Sequence, residues 1–185
     1  MAATGEITKL LNAVSEGRPG AVDSLMDLVY KDLLAHARRQ LRHIPANATL
    51  QATGLVNEAY LRLFGAVTEH FESRREFYHA ATRAMHDAVV DAARRRAAKK
   101  RGGDRVRVGF HDNLAAEQTA IDILELDDAV AALAVEHPRQ AQVVRLRYFG
   151  GLTHEQVAVA SNVSIATARR DWQFASAWLR RHLDC

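Results

Sequence analysis

Cysteine, proline and long apolar runs are scarce in this sequence, and each scarcity excludes a class of protein. The one cysteine, Cys185, excludes disulfides within the chain and suits a reducing compartment. Three prolines and ten glycines in 185 residues favour helices over sheet. No apolar run approaches the length of a membrane span, and the first residues lack the basic start and apolar core of a signal peptide. We therefore expect a cytoplasmic, all-α protein with no membrane partner.

The motifs of the common enzyme classes are missing as well. There is no glycine-rich phosphate loop, no nucleophile elbow and no paired-histidine metal motif. The nine histidines are scattered along the chain. Only the neighbours His86 and Asp87 suggest a catalytic pair, and adjacent side chains on a helix are expected to point about 100° apart. We expect no catalytic residues, no metal and no cofactor.

Charge is distributed unevenly along the chain, although the net charge is only +3. The segment from Arg83 to Lys100 holds six basic and two acidic side chains, and Ser164 to His182 holds four arginines and one aspartate. Between them, residues 102–126 carry five acidic and two basic side chains. Two basic helices around an acidic stretch indicate two contacts with one polyanion. The alternative is that these charged helix faces are merely solvated.

Apolar periodicity predicts three helices in the first hundred residues. The first spans 22–41, and the second follows Thr53, which is a plausible N-cap. A polar loop is expected over 65–75, and a long third helix is expected from about Glu76. Phe77 fits the buried stripe of this third helix. Its exposed line is expected to carry Arg83, Asp87, Asp91 and Arg94.

The rest of the chain divides into a linker and a second helical domain. Residues 102–125 lack clear periodicity and are interpreted as a flexible linker. We expect domains over 1–101 and 126–185. In the second domain, one helix is expected over 129–135 and another from Pro138 to the glycines at 150–151.

The segment after these glycines has the pattern of a helix-turn-helix. Thr153 and Gln156 match a capping box, Asn162 suits a left-handed turn residue, and Ser164 suits the N-cap of a following helix. Val163 is expected to fill the corner between the helices. In a helix-turn-helix the second helix enters the major groove. The residues expected to face DNA are Ser164, Ala166, Thr167, Arg169, Arg170 and Gln173. The alternative is an ordinary helical hairpin with surface arginines.

With these motifs in this order, the sequence resembles the sigma-70 superfamily, in particular its extracytoplasmic-function (ECF) class. The stretch from Leu133 to Leu183 resembles region 4, which recognises the −35 promoter element. The stretch from Thr53 to Phe64 (TGLVNEAYLRLF) resembles region 2.2, which docks on polymerase. Phe71 to Arg96 resembles regions 2.3 and 2.4, which open and read the −10 element. The resemblance implies an all-α protein in which a region 2 bundle and a region 4 helix-turn-helix are joined by the linker.

The resemblance also implies functional residues in the N-terminal half. Asn57, Glu58 and Arg62 are expected to bind the clamp helices of the largest polymerase subunit, with Arg62 paired to Glu58 along the helix. Capturing melted DNA requires aromatic platforms beside cations. The residues expected at the −10 element are Phe71, Arg74, Arg75, Arg83, Asp87 and Arg94. Asp87 and Ala80 depart from the residue types common at these positions.

The expected partners are core RNA polymerase and promoter DNA, with an anti-sigma protein as a further candidate. The expected function is therefore to direct polymerase to promoters. The competing hypothesis is a conventional helix-turn-helix regulator with an N-terminal sensing or dimerisation bundle. Such a regulator would bind a palindrome as a dimer without polymerase.

Overall fold

A computed structural model of the chain describes residues 4–40, 52–64, 71, 73–99, 107–109 and 120–183. These residues are almost entirely helical, which confirms the all-α prediction. The basic residues Lys100 and Arg101, most of the expected linker and Cys185 lie outside the described residues.

Four helices make up the N-terminal half. They are α1 (Thr4–Ser15), α2 (Ala21–Gln40), α3 (Ala52–Phe64) and α4 (Arg74–Lys99). Helix α2 packs on both α1 and α3, and α3 lies along α4. Their apolar faces meet in a core that includes Leu25, Val56 and Met85, each almost fully buried.

The N-terminal helices differ from the predicted ones in three places. Helix α1 was not predicted, although Ile7, Leu10, Leu11 and Val14 have the spacing of one apolar helix face. Helix α3 begins at Ala52, so Thr53 lies inside its first turn and is not its N-cap. Helix α4 begins two residues before Glu76, because the Ser73 hydroxyl accepts the backbone N–H of Glu76 at 3.2 Å and caps the helix earlier.

The segment expected to be a linker is not wholly irregular. Strand β1 (Arg107–Gly109) pairs antiparallel with β2 (Ala120–Asp122), with Val108 opposite Ile121. Helix α5 (Ile123–Glu136) follows β2 directly, and the Asp122 carboxylate caps it by accepting the N–H of Leu124 at 2.9 Å. Regular structure therefore resumes at 120, before the predicted start of the second domain at 126. The domain boundaries themselves remain a prediction.

The C-terminal half consists of α5, α6 (Pro138–Val144), a π-helical turn (Arg145–Phe149), α7 (His154–Ser161) and α8 (Ile165–His182). Pro138 occupies the first turn of α6, where its missing N–H costs no hydrogen bond. The helical stretch ends at Gly150, as the sequence predicted. Helix α8 packs on α5, α6 and α7.

The two halves pack against each other through α4. This helix contacts α5, the π-helical turn and α7, and the buried side chains of both halves form one continuous cluster. Phe149 is fully buried beside the ring of His86, with the two ring centroids 4.5 Å apart. Burial of one such aromatic side chain contributes about 1.5–3 kcal/mol. The two halves therefore share a core in this conformation.

Candidate nucleic-acid interface

The turn into α7 is held by a complete capping box. Gln156 donates its backbone N–H to the Thr153 hydroxyl at 3.3 Å, and the Gln156 side chain accepts the Thr153 N–H at 2.8 Å. Each of these N–H groups would otherwise lack a partner at the start of a helix. The predicted capping box is confirmed, and Gln156, whose side chain completes it, is buried.

The corner between α7 and α8 also has the predicted geometry. Asn162 adopts a left-handed conformation, with φ of 53° and ψ of 49°, and ends α7. Asn tolerates this backbone better than most residues other than glycine. Val163 packs against the core, and its N–H reaches the Ala158 carbonyl at 3.0 Å. Ser164 then caps α8 by accepting the Thr167 N–H at 3.0 Å.

Helix α8 separates a buried face from an exposed polar one. The buried face includes Ala168, Trp172, Ala175 and Leu179. Ile165, the first residue of the helix, is 43% exposed. The residues expected to face DNA lie on the solvent side: Ser164, Ala166, Arg169, Arg170 and Gln173 are exposed, and Thr167 is half-buried.

One residue of α8 that sequence reasoning missed holds the helix in place. The Asp171 carboxylate is buried and accepts Arg139 Nε at 2.7 Å and Nη2 at 2.9 Å. It also accepts the Gln140 side-chain amide at 2.9 Å. This two-pronged ion pair fixes the middle of α8 to the start of α6. Because the partners are more than 30 positions apart, no local pattern indicated it.

The loop before α7 is held to α8 by Arg147. Its guanidinium lies 5.0 Å from the centre of the Trp172 ring, and Nη1 donates to the Leu152 carbonyl at 2.9 Å. A guanidinium above an indole face is attracted by the ring electrons. Arg147 and Asp171 thus orient α8 from two sides and leave its exposed arginines at the surface.

On the N-terminal half, Glu58 and Arg62 form an ion network with α4. Arg62 donates to Glu58 at 2.7 Å, which confirms the predicted pair along the helix, and also to Asp91 at 2.8 Å. Arg95 donates to both Glu58 oxygens, at 3.2 and 2.7 Å. The hydrogen bond that Asp91 accepts from Arg62 lowers the pKa of the Asp91 carboxyl. Glu58 and Arg62 therefore brace α3 against α4, a role that the sequence did not reveal.

A surface groove lies beside this network. It has a volume of about 540 Å³ and is lined by Met26, Asp27, Tyr30, Asn57, Tyr60 and Leu61. Asn57 is exposed, and Leu61 exposes 64% of its surface, which is unusual for a leucine in a helix. The rings of Tyr30 and Tyr60 meet edge to face with centroids 6.4 Å apart. The predicted polymerase-binding residues thus border a partly apolar groove.

The residues expected at the −10 element do not form one patch. Arg74 and Arg75 lie in the first turn of α4, where a loop was predicted. Arg94 lies 20 residues further along, which corresponds to about 30 Å of helix. Phe71 was expected to be available in a polar loop, but it is 6% exposed and packs edge to face on Phe77 at 5.3 Å. In this conformation the Phe71 ring is part of the core.

Asp87 contacts its neighbour His86, although adjacent side chains on a helix were expected to point apart. Its carboxylate lies 3.0 Å from His86 Nδ1, although the two residues are neighbours on a helix. The two side chains thus meet, although their Cα–Cβ bonds are about 100° apart around the helix. His86 Nε2 lies 2.7 Å from Asp127 of α5. Arg94, also on α4, lies 3.8 Å from the same carboxylate.

Further contacts hold α4 against the C-terminal half. His79 Nε2 lies 3.0 Å from the Ala160 carbonyl, and its Nδ1 lies 3.1 Å from the Gln142 amide nitrogen. Since a carbonyl only accepts, His79 donates from Nε2 and accepts at Nδ1. Thr82 abuts Gly150 so closely that a side chain at Gly150 would collide with the Thr82 hydroxyl. Glycine is required here because two helical segments approach at this point.

The part of the chain that the structure describes contains neither a metal-binding cluster nor a membrane-spanning helix. No group of three His, Cys, Asp or Glu side chains in this part of the chain is placed to hold a metal ion. None of the helices described is long and apolar enough to cross a membrane.

A comparison with protein families gives a match over nearly the whole chain. A family model described as "ECF sigma factor" matches residues 4–185, which include every helix described above. No curated protein matches the chain.

Proposed function

The chain belongs to the ECF sigma factor family, and from that premise we propose that it binds core RNA polymerase and directs it to specific promoters. Members of this family are transcription initiation factors that regulate genes and are not enzymes. The observation that carries the proposal is the capped helix-turn-helix with its exposed basic face on α8. The proposed site of action is the cytoplasm, where bacterial polymerase transcribes.

We assign recognition of the −35 element to α8. A helix that enters the major groove reads bases with residues near its N-terminal end. Arg169 and Arg170 can pair bidentately with guanine, and Gln173 can pair with adenine. Ser164, Ala166 and Thr167 occupy the N-terminal end, close to the DNA backbone in such a pose. The Ser164 and Thr167 hydroxyls lie 2.8 Å apart and also cap the helix, so they fit a phosphate contact better than base readout.

We assign the −10 element to α4 and the segment before it. Arg74, Arg75, Arg83 and Arg94 supply cations for phosphates, and Asp87 can accept from a cytosine amino group. Phe71 remains the candidate platform for a flipped base. Its ring has to leave Phe77 for that role, so we expect the segment around Phe71 to rearrange when single-stranded DNA binds.

Polymerase is proposed to bind the α3 surface. Asn57 and Leu61 are exposed there beside the groove, and Leu61 extends the apolar lining formed by Met26, Tyr30 and Tyr60. A contiguous apolar surface with a polar rim is typical of a protein interface. Glu58 and Arg62 lie at the edge of the same surface but are partly used in bracing α4. Their contribution to docking is therefore expected to be smaller than that of the freely exposed residues.

The proposal requires the two DNA-facing helices to separate. Helix α4 packs directly on α7, which adjoins α8, so the two helices are held close together. Two promoter elements lie apart along DNA, and each helix can occupy only one groove at a time. We expect polymerase to bind the N-terminal half and the C-terminal half at separate points, and this binding to replace the contacts of α4 with α5 and α7.

The test is co-elution of the purified chain with bacterial core polymerase, followed by run-off transcription from genomic promoter fragments. Leu61→Asp is the informative variant, because this side chain is exposed and its change should leave the fold intact. We expect it to weaken polymerase binding at least about tenfold, since a buried charge at an interface is costly. Val135→Asp is the matched control, since Val135 is an exposed apolar residue on α5.

Glu58→Lys alone is less decisive, because it also breaks the bridge from α3 to Arg95 of α4. Comparing it with Arg95→Ala separates the two effects. If Glu58→Lys weakens polymerase binding far more than Arg95→Ala at equal stability, Glu58 contacts polymerase. Equal losses would assign to Glu58 a structural role only.

The conventional regulator remains the alternative function. It predicts a dimer that binds a symmetric operator without polymerase. Failure to co-elute with core polymerase, together with such dimeric binding, would overturn the proposal. An anti-sigma protein is a further proposed partner, suggested by the family rather than by a feature of this chain.

A further inference from the structure

A cavity of about 330 Å³ has α4 on one side and, on the other, the continuous segment formed by α6 and the π-helical turn. Four lining residues come from α4 at the spacing of one helix face, and two come from the opposite segment three positions apart. The lining residues are His79, Thr82, Arg83, His86, Gln142 and Arg145. Two helix faces from the two halves of the chain thus enclose one polar space.

The lining is basic on both sides. Arg83 contributes a guanidinium from α4 and Arg145 contributes one from the π-helical turn, and none of the described residues that line the cavity is acidic. Within the described residues, neither arginine has a carboxylate within 4.0 Å. Two like charges that share a cavity repel each other, so the site favours a negatively charged ligand between them.

The two imidazoles in the lining are already occupied. His79 is bonded to the Ala160 carbonyl and the Gln142 amide, and both His86 nitrogens lie against carboxylates. Those carboxylates are Asp87 and Asp127, and Asp127 also attracts Arg145 electrostatically without lying within 4.0 Å of it. The guanidinium donors of Arg83 and Arg145 therefore remain for a ligand.

Thr82 lines the inner wall of the cavity but does not offer its hydroxyl to a ligand. Its Oγ1 is buried against Gly150, at the place where a Cβ on that glycine would lie. The charged donors of the site are therefore the two arginines.

We propose that this cleft binds a small anion of the phosphate class, held by Arg83 and Arg145 from opposite sides. The planar guanidinium matches the oxygens of a phosphate group through paired N–H donors. Cavities of this volume suit a small ligand. By joining the two halves, the anion holds α4 against the C-terminal half. This site is separate from the proposed contacts on α3 and α8, but it shares Arg83 with the proposed −10 contacts, so the anion and promoter DNA would compete for that residue.

A phosphate of DNA is the other source of the same chemistry. We favour a free anion, because helices from both halves enclose the cleft and a duplex would have to part them. The experiment therefore includes both sources. It uses the free full-length chain, so its outcome does not depend on polymerase binding.

The test is calorimetric titration of the full chain with pyrophosphate at constant ionic strength, and with a short DNA duplex in parallel. We expect saturable binding of one pyrophosphate per chain. Arg145→Gln and Arg83→Gln should each weaken it about tenfold, since hydrogen bonds to a charged group are the strong ones. Arg145→Lys keeps the charge without the planar fork and should give an intermediate affinity.

Arg38→Gln is the matched control, because Arg38 is an exposed arginine on α2. Circular dichroism checks that each variant folds, and Arg145→Lys serves if Arg145→Gln does not. Absence of saturable pyrophosphate binding overturns the proposal. So does an equal loss in Arg38→Gln, which would mean non-specific attraction. If the duplex binds, Arg145→Gln weakens that binding, and pyrophosphate does not bind, then the cleft is a DNA site and the proposal of a free anion is also overturned.

Discussion

His86 Nε2 lies 2.7 Å from Asp127 Oδ1, and this hydrogen bond joins α4 to α5 across 41 positions of the chain. His86 Nδ1 lies 3.0 Å from Asp87 as well, so the imidazole bridges two carboxylates. The His86 ring also packs edge to face on Phe149. A single partly buried histidine thus combines electrostatic and apolar contacts where the two halves meet.

The surroundings of this pair determine how it responds to pH. Burial lowers the pKa of His86, but the hydrogen bonds to Asp127 and Asp87 together raise it by more, so the pKa lies above its usual value of 6.5. The pKa of Asp127 lies below its usual 3.8, mainly because His86 donates a hydrogen bond to its carboxylate. Burial of Asp127 raises this pKa but has the smaller effect. Other charges near the imidazole are Arg94 and Arg145, which act on the same carboxylate.

We predict that the contact between the halves weakens as pH rises from about 6 to about 9. A raised folded-state pKa means that the stabilisation is complete below about 6.5 and is lost as pH rises through the folded value. Thermal unfolding and amide hydrogen exchange of α4 and α5 at these two pH values measure the effect. His86→Gln should remove this part of the pH dependence. His182→Gln, in the last turn of α8, should keep it, and an unchanged pH slope in His86→Gln would contradict the prediction.

We predict that Gly150→Ala destabilises the chain by about 1–3 kcal/mol, as overpacking of a tight site does. A Cβ at Gly150 would meet the Thr82 hydroxyl, the Leu146 carbonyl at 2.7 Å and Leu152 Cδ1 at 2.9 Å. Denaturant unfolding measures the loss. In the double variant with Thr82→Ala, part of the loss should return, because one of the three collisions disappears. Strict additivity of the two changes would show that Thr82 does not contact Gly150 in solution.

We predict that Asp171→Ala costs about 1–2 kcal/mol and reduces binding of duplex DNA by the C-terminal half of the full chain. The change removes the acceptor that Gln140 and Arg139 share. Gln140 is half-buried, but the Arg139 side chain is exposed and can bond to water, which limits the loss of folding free energy. Chemical denaturation gives the stability, and fluorescence anisotropy gives the affinity. Asp128→Ala, at an exposed position of α5, should stay within about 0.5 kcal/mol of the natural chain. Equal effects of the two variants would mean that Asp171 does not orient α8.

We predict that Arg169→Ala and Arg170→Ala leave stability nearly unchanged and weaken promoter binding by about 1–3 kcal/mol where the lost contact reads a base. Both side chains are exposed, and the ion pair of Arg169 with Glu155 is long at 3.7 Å. Transcription from promoters with single changes in the −35 element measures the preference. Loss of preference at one base position identifies base readout. A uniform loss at all sequences would identify a phosphate contact instead.

Local patterns in the sequence predicted the helix-turn-helix well. The capping box at Thr153, the left-handed Asn162 and the Ser164 cap each depend on residues at most four positions apart, so their chemistry can be recognised without the fold. The pair of Glu58 and Arg62 has the same origin, since residues four apart share a helix face. Helix α1 was also within reach of this reasoning, and its apolar spacing was overlooked.

The roles of side chains that meet partners from distant segments were not predictable in this way. Phe71 was expected at the surface because its neighbours are polar, and its burial depends on Phe77. Asp91 and Arg95 were known only as charges on an exposed helix, and their partners are on α3. The antiparallel pair of β1 and β2 joins two segments with little periodicity of their own.

The amino-acid sequence by itself determined the helical class, the capped turn before α8 and the family, because these depend on short-range periodicity, capping chemistry and the order of motifs. Only the tertiary structure decided that α4 packs on the C-terminal half, that His86 pairs with Asp127, and that Arg83 and Arg145 line one cavity. Those relationships join residues tens of positions apart. Which of the many charged side chains become partners is determined by the packing of apolar helix faces, and that packing is a property of the folded chain as a whole.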